Sequence, residues 1–101
     1  MAFVRATKAA EVPPGTICEL QLDGKTIALA NVDGKYYAID NTCLHRGGPL
    51  GQGILEGKTV TCPWHGWEYD VTSGKVGANP SVGVACYTVE VRGEDIFVDC
   101  G

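Results

Sequence analysis

The sequence contains no long apolar run. Hydrophobic residues make up 45% of its 101 residues, but no stretch reaches the roughly 18 apolar residues that a membrane-spanning helix requires. Residues 1–12 carry charged side chains and lack the apolar segment of a secretory signal. We therefore expect neither a membrane span nor secretion, and we expect a cytoplasmic protein.

A basic tract is also missing. The chain has 8 Lys and Arg residues against 12 Asp and Glu residues, which gives a formal net charge of −4. Recognition of nucleic-acid phosphates needs a clustered Lys/Arg face, so nucleic acid is not an expected partner. An acidic surface is compatible with steering toward positively charged faces of redox partners, or simply with solubility, and the sequence leaves both open.

Histidine is scarce, and its placement is informative. The chain has two histidines, and each closely follows a cysteine, in Cys43-Leu44-His45 and in Cys62-Pro63-Trp64-His65. Two thiols and two imidazoles in two short chelating pairs indicate a metal site.

Two metal chemistries accept a Cys₂His₂ set. Structural zinc sites commonly pair like residues, as in C-x₂₋₄-C and H-x₃₋₅-H. Each pair here is mixed, which favours a dinuclear [2Fe–2S] centre whose one iron is held by the two cysteines and the other by the two histidines. The order of the ligands therefore favours iron and sulfur over zinc.

The two segments around these pairs, residues 43–50 and 62–70, resemble the cluster-binding loops of Rieske proteins. The resemblance is strongest over about residues 40–82, and the chain length is similar to that of small Rieske ferredoxins. It implies an all-β Rieske fold of small antiparallel sheets, a single domain over residues 1–101, and a loop-rich cluster-binding subdomain inserted at about 40–82. It also implies one [2Fe–2S] cluster held by Cys43, His45, Cys62 and His65.

Several neighbouring residues are candidates for supporting the loops. Loops that curl around an inorganic core need positive φ and close backbone approach, which glycine permits. Trp64 and Trp67 either shield the loops or pack in the core, and the Tyr69 hydroxyl could reach a ligand sulfur. Pro80 matches either a third loop that covers the cluster in the family or an ordinary turn proline. These candidates are Gly47, Gly48, Gly66, Trp64, Trp67, Tyr69 and Pro80.

Two features of quinol-oxidising Rieske proteins are missing from the loops. Those proteins carry a loop-to-loop disulfide where this chain has Gly48 and Trp64, and a serine hydroxyl where it has Trp67. Hydrogen bonds to cluster sulfurs raise the reduction potential, so their loss lowers it. We predict a potential in the lower part of the Rieske range, which runs from about −150 to +300 mV.

The resemblance implies an electron carrier and not an enzyme. Rieske oxygenases activate dioxygen at a separate iron held by two histidines and a carboxylate, whereas both histidines here are already assigned. We expect a ferredoxin, with a monomer most compatible with a mobile carrier. Its electrons would come from a flavin-dependent reductase and pass to a terminal oxygenase of an aromatic-ring-hydroxylating dioxygenase system. The alternatives are a small Rieske-like subunit of an assimilatory nitrite reductase and a structural Cys₂His₂ zinc module.

The remaining sequence predicts a nearly all-β chain. Short runs rich in β-branched and aromatic residues alternate with turn signals, among them Asp23-Gly24 and Asp33-Gly34. Cys18 and Cys86 lie in apolar strand-like stretches, so we expect both to be small buried hydrophobes. Cys100 is expected to be exposed, and Gly51, Gly53 and Gly57 are read equally as flexible loop residues or cluster-loop residues. The predicted strands are 3–8, 17–22, 26–32, 36–40, 59–62, 67–71, 87–91 and 96–99.

Overall fold

Antiparallel β-sheets account for almost all regular structure in the described part of the chain. The structure, a computed structural model, describes residues 3–22, 24–44, 47–64, 66–77 and 79–99. The described residues include two single-turn 3-10 helices and no α-helix, and no helix among them is long and apolar enough to cross a membrane. The 3-10 helices are Ala9–Glu11 and Leu50–Gln52, and the strands are β1 (Val4–Lys8), β2 (Ile17–Leu22), β3 (Lys25–Val32), β4 (Lys35–Asp40), β5 (Ile54–Glu56), β6 (Thr59–Thr61), β7 (Glu68–Asp70), β8 (Lys75–Val76), β9 (Asn79–Gly83), β10 (Cys86–Arg92) and β11 (Asp95–Asp99).

The larger sheet has six strands in the order β1-β11-β10-β4-β3-β2, and all of its neighbouring pairs run antiparallel. Its two edge strands, β1 and β2, come into contact, so the sheet curls toward closure. Each of these strands was predicted from the sequence to within one residue at either end. The expectation of an all-β fold of antiparallel sheets is confirmed.

The turn between β3 and β4 has the geometry that its sequence demands. Asp33 has φ of 51° and Gly34 has φ of 90°, and two-residue hairpin turns of this kind require positive φ at both positions. The buried side chain of Asn31 fixes the turn, because its Oδ1 accepts from the Gly34 N–H at 2.8 Å and its Nδ2 donates to the Val12 carbonyl at 2.7 Å. In the other predicted turn, Asp23 lies outside the described residues.

Strand β3 is buried on both faces and divides the interior into two cores. Ile27 and Leu29 point into one core, which β11 completes with Ile96 and Val98. The alternate residues of β3 belong to the other core together with both cluster-loop cysteines, as expected for side chains that alternate across a strand. The larger sheet therefore has its own apolar core, separate from the one that contains the metal-site cysteines. The second core consists of Ala28, Ala30, Ile39, Cys43, Leu50, Val60, Cys62, Tyr69, Val71 and Val76.

The smaller sheet has five strands in the order β5-β6-β7-β8-β9. Strands β6 and β7 were predicted, whereas β5, β8 and β9 were not. They escape detection because they are short, and because β9 contains a proline and ends in a glycine, both of which disfavour strands. Pairing with neighbouring strands, which is a tertiary effect, fixes their conformation.

Two glycines that precede β5 are required by packing. A methyl group at Gly51 would lie 2.7 Å from Asn41 Oδ1 and 2.8 Å from Glu19 Cα, and one at Gly53 would collide with the Thr61 carbonyl oxygen. The flexible-loop reading is therefore wrong for both positions. Gly57, with φ of 61° and open space around it, is a turn glycine between β5 and β6.

The expectation for the non-ligand cysteines is corrected. Cys86 is exposed and Cys18 is only partly buried. Cys86 is the first residue of β10, in which exposed side chains alternate with partly buried ones over its first five residues, and it takes an exposed position. Partial burial raises the pKa of both thiols, with a further contribution from Glu11 at Cys18 and from Asp70 at Cys86. Raised pKa values keep both sulfurs protonated and weakly nucleophilic. Cys100 lies outside the described residues.

Candidate metal centre

Two loops bring the predicted ligand cysteines into the second core. The first loop connects β4 to the 3-10 helix at Leu50–Gln52, and the second connects β6 to β7. Cys43 and Cys62 stand near the start of these loops, and each is 1% exposed. Both are free thiols. His45 and His65, the other two predicted ligands, lie outside the described residues.

The backbones of the two loops make the same pair of hydrogen bonds. The Cys43 N–H donates to the Gly48 carbonyl at 2.9 Å and the Cys43 carbonyl accepts from the Gly47 N–H at 2.8 Å. In the second loop, the Cys62 N–H donates to the Trp67 carbonyl at 2.8 Å and the Cys62 carbonyl accepts from the Gly66 N–H at 3.1 Å. Each cysteine is therefore held at both its amide and its carbonyl by the turn that follows it.

A glycine closes each turn in the left-handed region. Gly47 and Gly66 both have φ of 73°, a conformation that glycine adopts without the steric cost that other residues pay. The two loops thus repeat one local structure, with a glycine four residues after each cysteine. This spacing was visible in the sequence, and it explains why both loops carry a glycine at that place.

Tyr69 connects the two loops at their base. Its side chain is fully buried, and its hydroxyl oxygen accepts from the Leu44 N–H at 3.0 Å and lies 3.2 Å from Cys43 Sγ. Because the oxygen accepts from the amide, the hydroxyl hydrogen is free to donate to the sulfur. Burial and the hydrogen bond to Cys43 raise the pKa of Tyr69 to about 12. The phenol therefore stays protonated at neutral pH and retains a hydrogen to donate.

The other predicted supporting residues fall into different environments. Trp67 is partly buried and packs against the second core, while Trp64 is 58% exposed. Leu44, beside Cys43, is 52% exposed. Pro80 lies in β9 of the smaller sheet, and its side chain is outside the described part of the structure.

A polar network that the sequence did not reveal anchors the first loop to the larger sheet. Asn41 is buried; its Nδ2 donates to Glu19 on β2 at 2.6 Å and its Oδ1 accepts from the Gly51 N–H at 2.7 Å. The Gln52 side chain also donates to Glu19, at 3.3 Å. Nothing in the sequence links Asn41 to a partner more than twenty positions away, although an asparagine at the end of a predicted strand is a signal of a side-chain-to-backbone bond.

The described donor set fits a sulfur-ligated iron. Two buried thiols reach one core through loops of matching geometry, and one of them has a hydrogen-bond donor for its sulfur. The described residues contain no group of three or more His, Cys, Asp or Glu side chains suited to a metal ion. The two ligand candidates that the structure describes are both cysteines in one core, as expected for the cysteine half of a mixed cluster site.

Comparison with known proteins identifies the family. The Rieske [2Fe-2S] domain family matches residues 2–88. The chain belongs to this family. Its cofactor is one [2Fe–2S] cluster, so the site is an iron–sulfur site and not a zinc site. The resemblance stated from the loop residues is confirmed.

Several relatives of this Rieske chain match it over nearly their full length. The ferredoxin component of a naphthalene 1,2-dioxygenase system from Pseudomonas aeruginosa is 32% identical over 98 residues, which cover 96% of this chain and 94% of that protein. The ferredoxin of carbazole 1,9a-dioxygenase from Nocardioides aromaticivorans IC177 superposes with a TM-score of 0.88 at 30% identity, covering 97% of both chains. A structure described as a complex of reduced oxygenase and oxidized ferredoxin in carbazole 1,9a-dioxygenase matches with a TM-score of 0.86 at 30% identity, over 95% of this chain and 91% of that one.

Proposed function

We propose that this Rieske chain carries single electrons from a flavin-dependent reductase to a terminal oxygenase that hydroxylates aromatic or related hydrophobic compounds. The observation that carries the proposal is the pair of matching cysteine loops joined at Tyr69. Support comes from relatives of similar length, which are ferredoxin components of dioxygenase systems. In this proposal the chain is a carrier and the oxygenase performs the chemistry.

We assign the cluster ligands to Cys43, His45, Cys62 and His65. When bound, the cluster accepts one electron and gives it up again. Cys43 and Cys62 are each held by two backbone hydrogen bonds. This fixed backbone suits electron transfer, because little rearrangement is then needed when the charge of the cluster changes. The Tyr69 hydroxyl contributes a hydrogen bond to Cys43 Sγ, which strengthens when the sulfur becomes more negative.

We also propose that the partner docks over the loop tips. Leu44 and Trp64 are exposed apolar side chains, and each is the chain neighbour of an assigned histidine ligand. Electron-transfer complexes bury small interfaces, so a few apolar anchors next to the redox centre are sufficient for a transient contact. The structure of a related ferredoxin bound to its oxygenase supports an oxygenase as the occupant.

The remaining expectations stand as proposals. We propose one domain over residues 1–101 with a cluster-binding subdomain at about 40–82, a monomeric carrier and a cytoplasmic location. The location is supported by the four described cysteines, all free thiols, since protein disulfides are rare in reducing compartments.

Electron paramagnetic resonance of the dithionite-reduced protein tests the ligand assignment. Wild-type protein should give the signal of a reduced [2Fe–2S] cluster, and Cys62→Ser should lose it, because the cluster loses one of its two sulfur ligands. Cys86→Ser is the matched control, since that thiol is exposed and outside the loops. A wild-type-like signal in Cys62→Ser would show that the assignment is wrong.

The carrier role is tested by reconstitution. Purified loaded protein is mixed with NADH and the flavin-dependent reductase of an aromatic dioxygenase system, and bleaching of the visible absorbance is followed. The reduced protein is then mixed with the terminal oxygenase and its substrate. We expect rapid reduction by the reductase and reoxidation that depends on oxygenase. A loaded protein that exchanges electrons with neither component would refute the proposed role.

A further inference from the structure

Gly48 of the first loop lies directly against two side chains of the second loop. A methyl group placed on Gly48 would lie 2.6 Å from Cys62 Sγ, and 3.2 and 3.3 Å from Cγ and Cδ2 of the Trp64 indole. Separations below 3.0 Å do not occur between real side-chain carbons and their neighbours, so the glycine leaves space that these two groups fill. Gly48 itself is buried.

Position 48 requires glycine because Cys62 and Trp64 fill the space that a side chain would need, and not because of its backbone conformation. The φ of Gly48 lies outside the left-handed region, unlike that of Gly47 and Gly66. An alanine would meet no backbone strain here. Its only cost would come from its contacts with the second loop.

The same residue is also bonded to the ligand cysteine of the first loop. The Gly48 carbonyl accepts from the Cys43 N–H at 2.9 Å. One residue therefore fixes the backbone of Cys43 and limits where the sulfur of Cys62 can lie. Any displacement at Gly48 changes the position of one cysteine relative to the other.

We propose that Gly48 is a positioning residue that sets the place of the Cys62 sulfur relative to Cys43, and that the Trp64 indole covers this contact from the solvent side. The proposal goes beyond the carrier function and rests on it only in taking Cys43 and Cys62 as ligands. Trp64 is then more than an exposed aromatic residue, because one part of its ring rests on the first loop while 58% of the residue is exposed.

Iron–sulfur geometry makes this contact consequential. Relieving a 2.6 Å contact requires the Cys62 sulfur, the indole or the loop backbone to move, and a ligand sulfur has to keep its metal–ligand distance within about 0.2 Å of the ideal value. With alanine at position 48, the Cys62 sulfur is pushed away or the indole is lifted. Both changes alter the environment of the sulfur-ligated iron and open it to water.

The decisive variant is Gly48→Ala, measured as loaded protein. We expect altered g values in the dithionite-reduced protein, and cluster loss in the presence of a chelator at least about tenfold faster than wild type, in keeping with the cost of overpacking. Gly57→Ala is the matched control. It introduces backbone strain in the turn between β5 and β6, at φ of 61°, outside both cysteine loops, and its methyl group meets nothing within 4 Å. If Gly48→Ala acted only by destabilising the fold, both variants would lose the cluster faster by similar factors, and both would keep the wild-type g values.

Trp64→Ala tests the covering role. We expect wild-type g values with cluster loss accelerated about threefold or more, because water gains access without a push on the sulfur. Ile54→Ala is the control, since Ile54 is another large exposed apolar residue, on β5 and outside both loops. We expect the double variant Gly48→Ala/Trp64→Ala to lose its cluster more slowly than the two separate effects predict, because removal of the indole relieves two of the methyl group's three closest contacts.

The outcomes separate this inference from the proposed function. A colourless wild-type protein overturns the carrier proposal. A loaded wild-type protein whose Gly48→Ala variant keeps its g values and loses the cluster at a rate within twofold of wild type overturns only the positioning role. If Gly48→Ala yields no loaded protein while Gly57→Ala does, the comparison of Trp64→Ala with Ile54→Ala becomes the test of the contact. Faster cluster loss than in Ile54→Ala then supports the contact, and an equal rate overturns it.

Discussion

Tyr69 shows how a single hydroxyl group can tune the cluster. The oxygen accepts from the Leu44 amide, which leaves the hydroxyl hydrogen free to donate to Cys43 Sγ, 3.2 Å away. Its aromatic ring is fully buried, so the hydroxyl has no water competing for its hydrogen. The chain therefore keeps one sulfur hydrogen bond of the kind that raises the potential, while it carries Trp67 where high-potential Rieske proteins have a serine.

Replacement of Tyr69 by phenylalanine should lower the reduction potential. The hydroxyl stabilises the reduced state, in which the sulfur is more negative, by about 1 kcal/mol. For a one-electron couple this corresponds to about 40 mV. Protein-film voltammetry measures the shift directly. Tyr36→Phe is the control, because the Tyr36 hydroxyl donates to the Ala9 carbonyl, on the other side of the larger sheet. An unchanged potential in Tyr69→Phe would mean that the hydrogen does not point at the sulfur.

At the scale of single elements, the first cluster loop is attached to the larger sheet by side chains and not only by its connection to β4. Asn41 is the central residue, with Glu19 on one side and the Gly51 N–H on the other. Gly51 has no side chain because Asn41 and the β2 backbone occupy that space. The loop and the sheet are therefore fitted to each other at a polar contact.

Asn41→Ala should destabilise this attachment. The substitution leaves the Gly51 N–H buried without its acceptor, which costs about 2 kcal/mol. For a domain of this size, we expect the apparent melting temperature to fall by about 10 °C. Gln52→Ala is the control, because its bond to Glu19 is longer, at 3.3 Å, and exposed. Equal melting temperatures for the two variants would show that the Asn41 network contributes little.

The turn after β7 depends on Asp70. Its carboxylate accepts from the Thr72 N–H at 2.9 Å and from the Thr72 hydroxyl at 2.6 Å, and Lys58 Nζ lies 3.5 Å away. Partial burial acts to raise the pKa of Asp70, but the Thr72 hydrogen bonds and the Lys58 charge outweigh it, so the pKa is lowered. A lowered pKa in the folded state means that the ionised carboxylate stabilises the fold.

Asp70→Asn should therefore cost stability only where the carboxylate is ionised. The contribution is present at neutral pH, starts to fall near pH 4 and is lost as the pH drops through the lowered folded-state pKa. Because Lys58 is largely exposed, we expect less than about 1 kcal/mol at pH 7. Urea unfolding at pH 7 and at pH 3 measures the difference. Lys58→Met removes only the ion pair and should have the smaller effect. A constant difference between Asp70→Asn and wild type at both pH values would contradict the linkage.

At the scale of the whole molecule, the sequence predicted the strands of the larger sheet better than those of the smaller sheet. Strands such as Ile17–Leu22 have apolar residues that alternate with polar ones and clear turn signals at their ends, so local patterns identify them. Lys75–Val76 has two residues and no periodicity, and its pairing arises from the fold around it. The cysteine loops were recognisable because their spacing is local. The Asn41–Glu19 contact and the space at Gly48 were not, since both join segments that are distant in sequence.

The presence of two separate cores predicts what removal of the cluster does. Cys43 and Cys62 belong to the core that contains β6 and β7, whereas the core with Ile27 and Leu29 contains no residue of the two loops. Cluster binding stabilises the state whose ligands it joins. Its removal should therefore weaken the core around the loops most, and leave the core enclosed by the larger sheet nearly as stable as before.

Hydrogen–deuterium exchange of loaded and apo protein tests this expectation. We expect amides of β6 and β7 to exchange about tenfold or more faster in the apo protein, because local opening no longer has to break metal–ligand bonds. Amides of β3 and β11 should change far less, since they pair within the larger sheet. The Cys86→Ser variant, loaded and apo, controls for oxidation of an exposed thiol during cluster removal. Equal acceleration across both sheets would mean that the two cores unfold as one unit and that the cluster stabilises the entire chain.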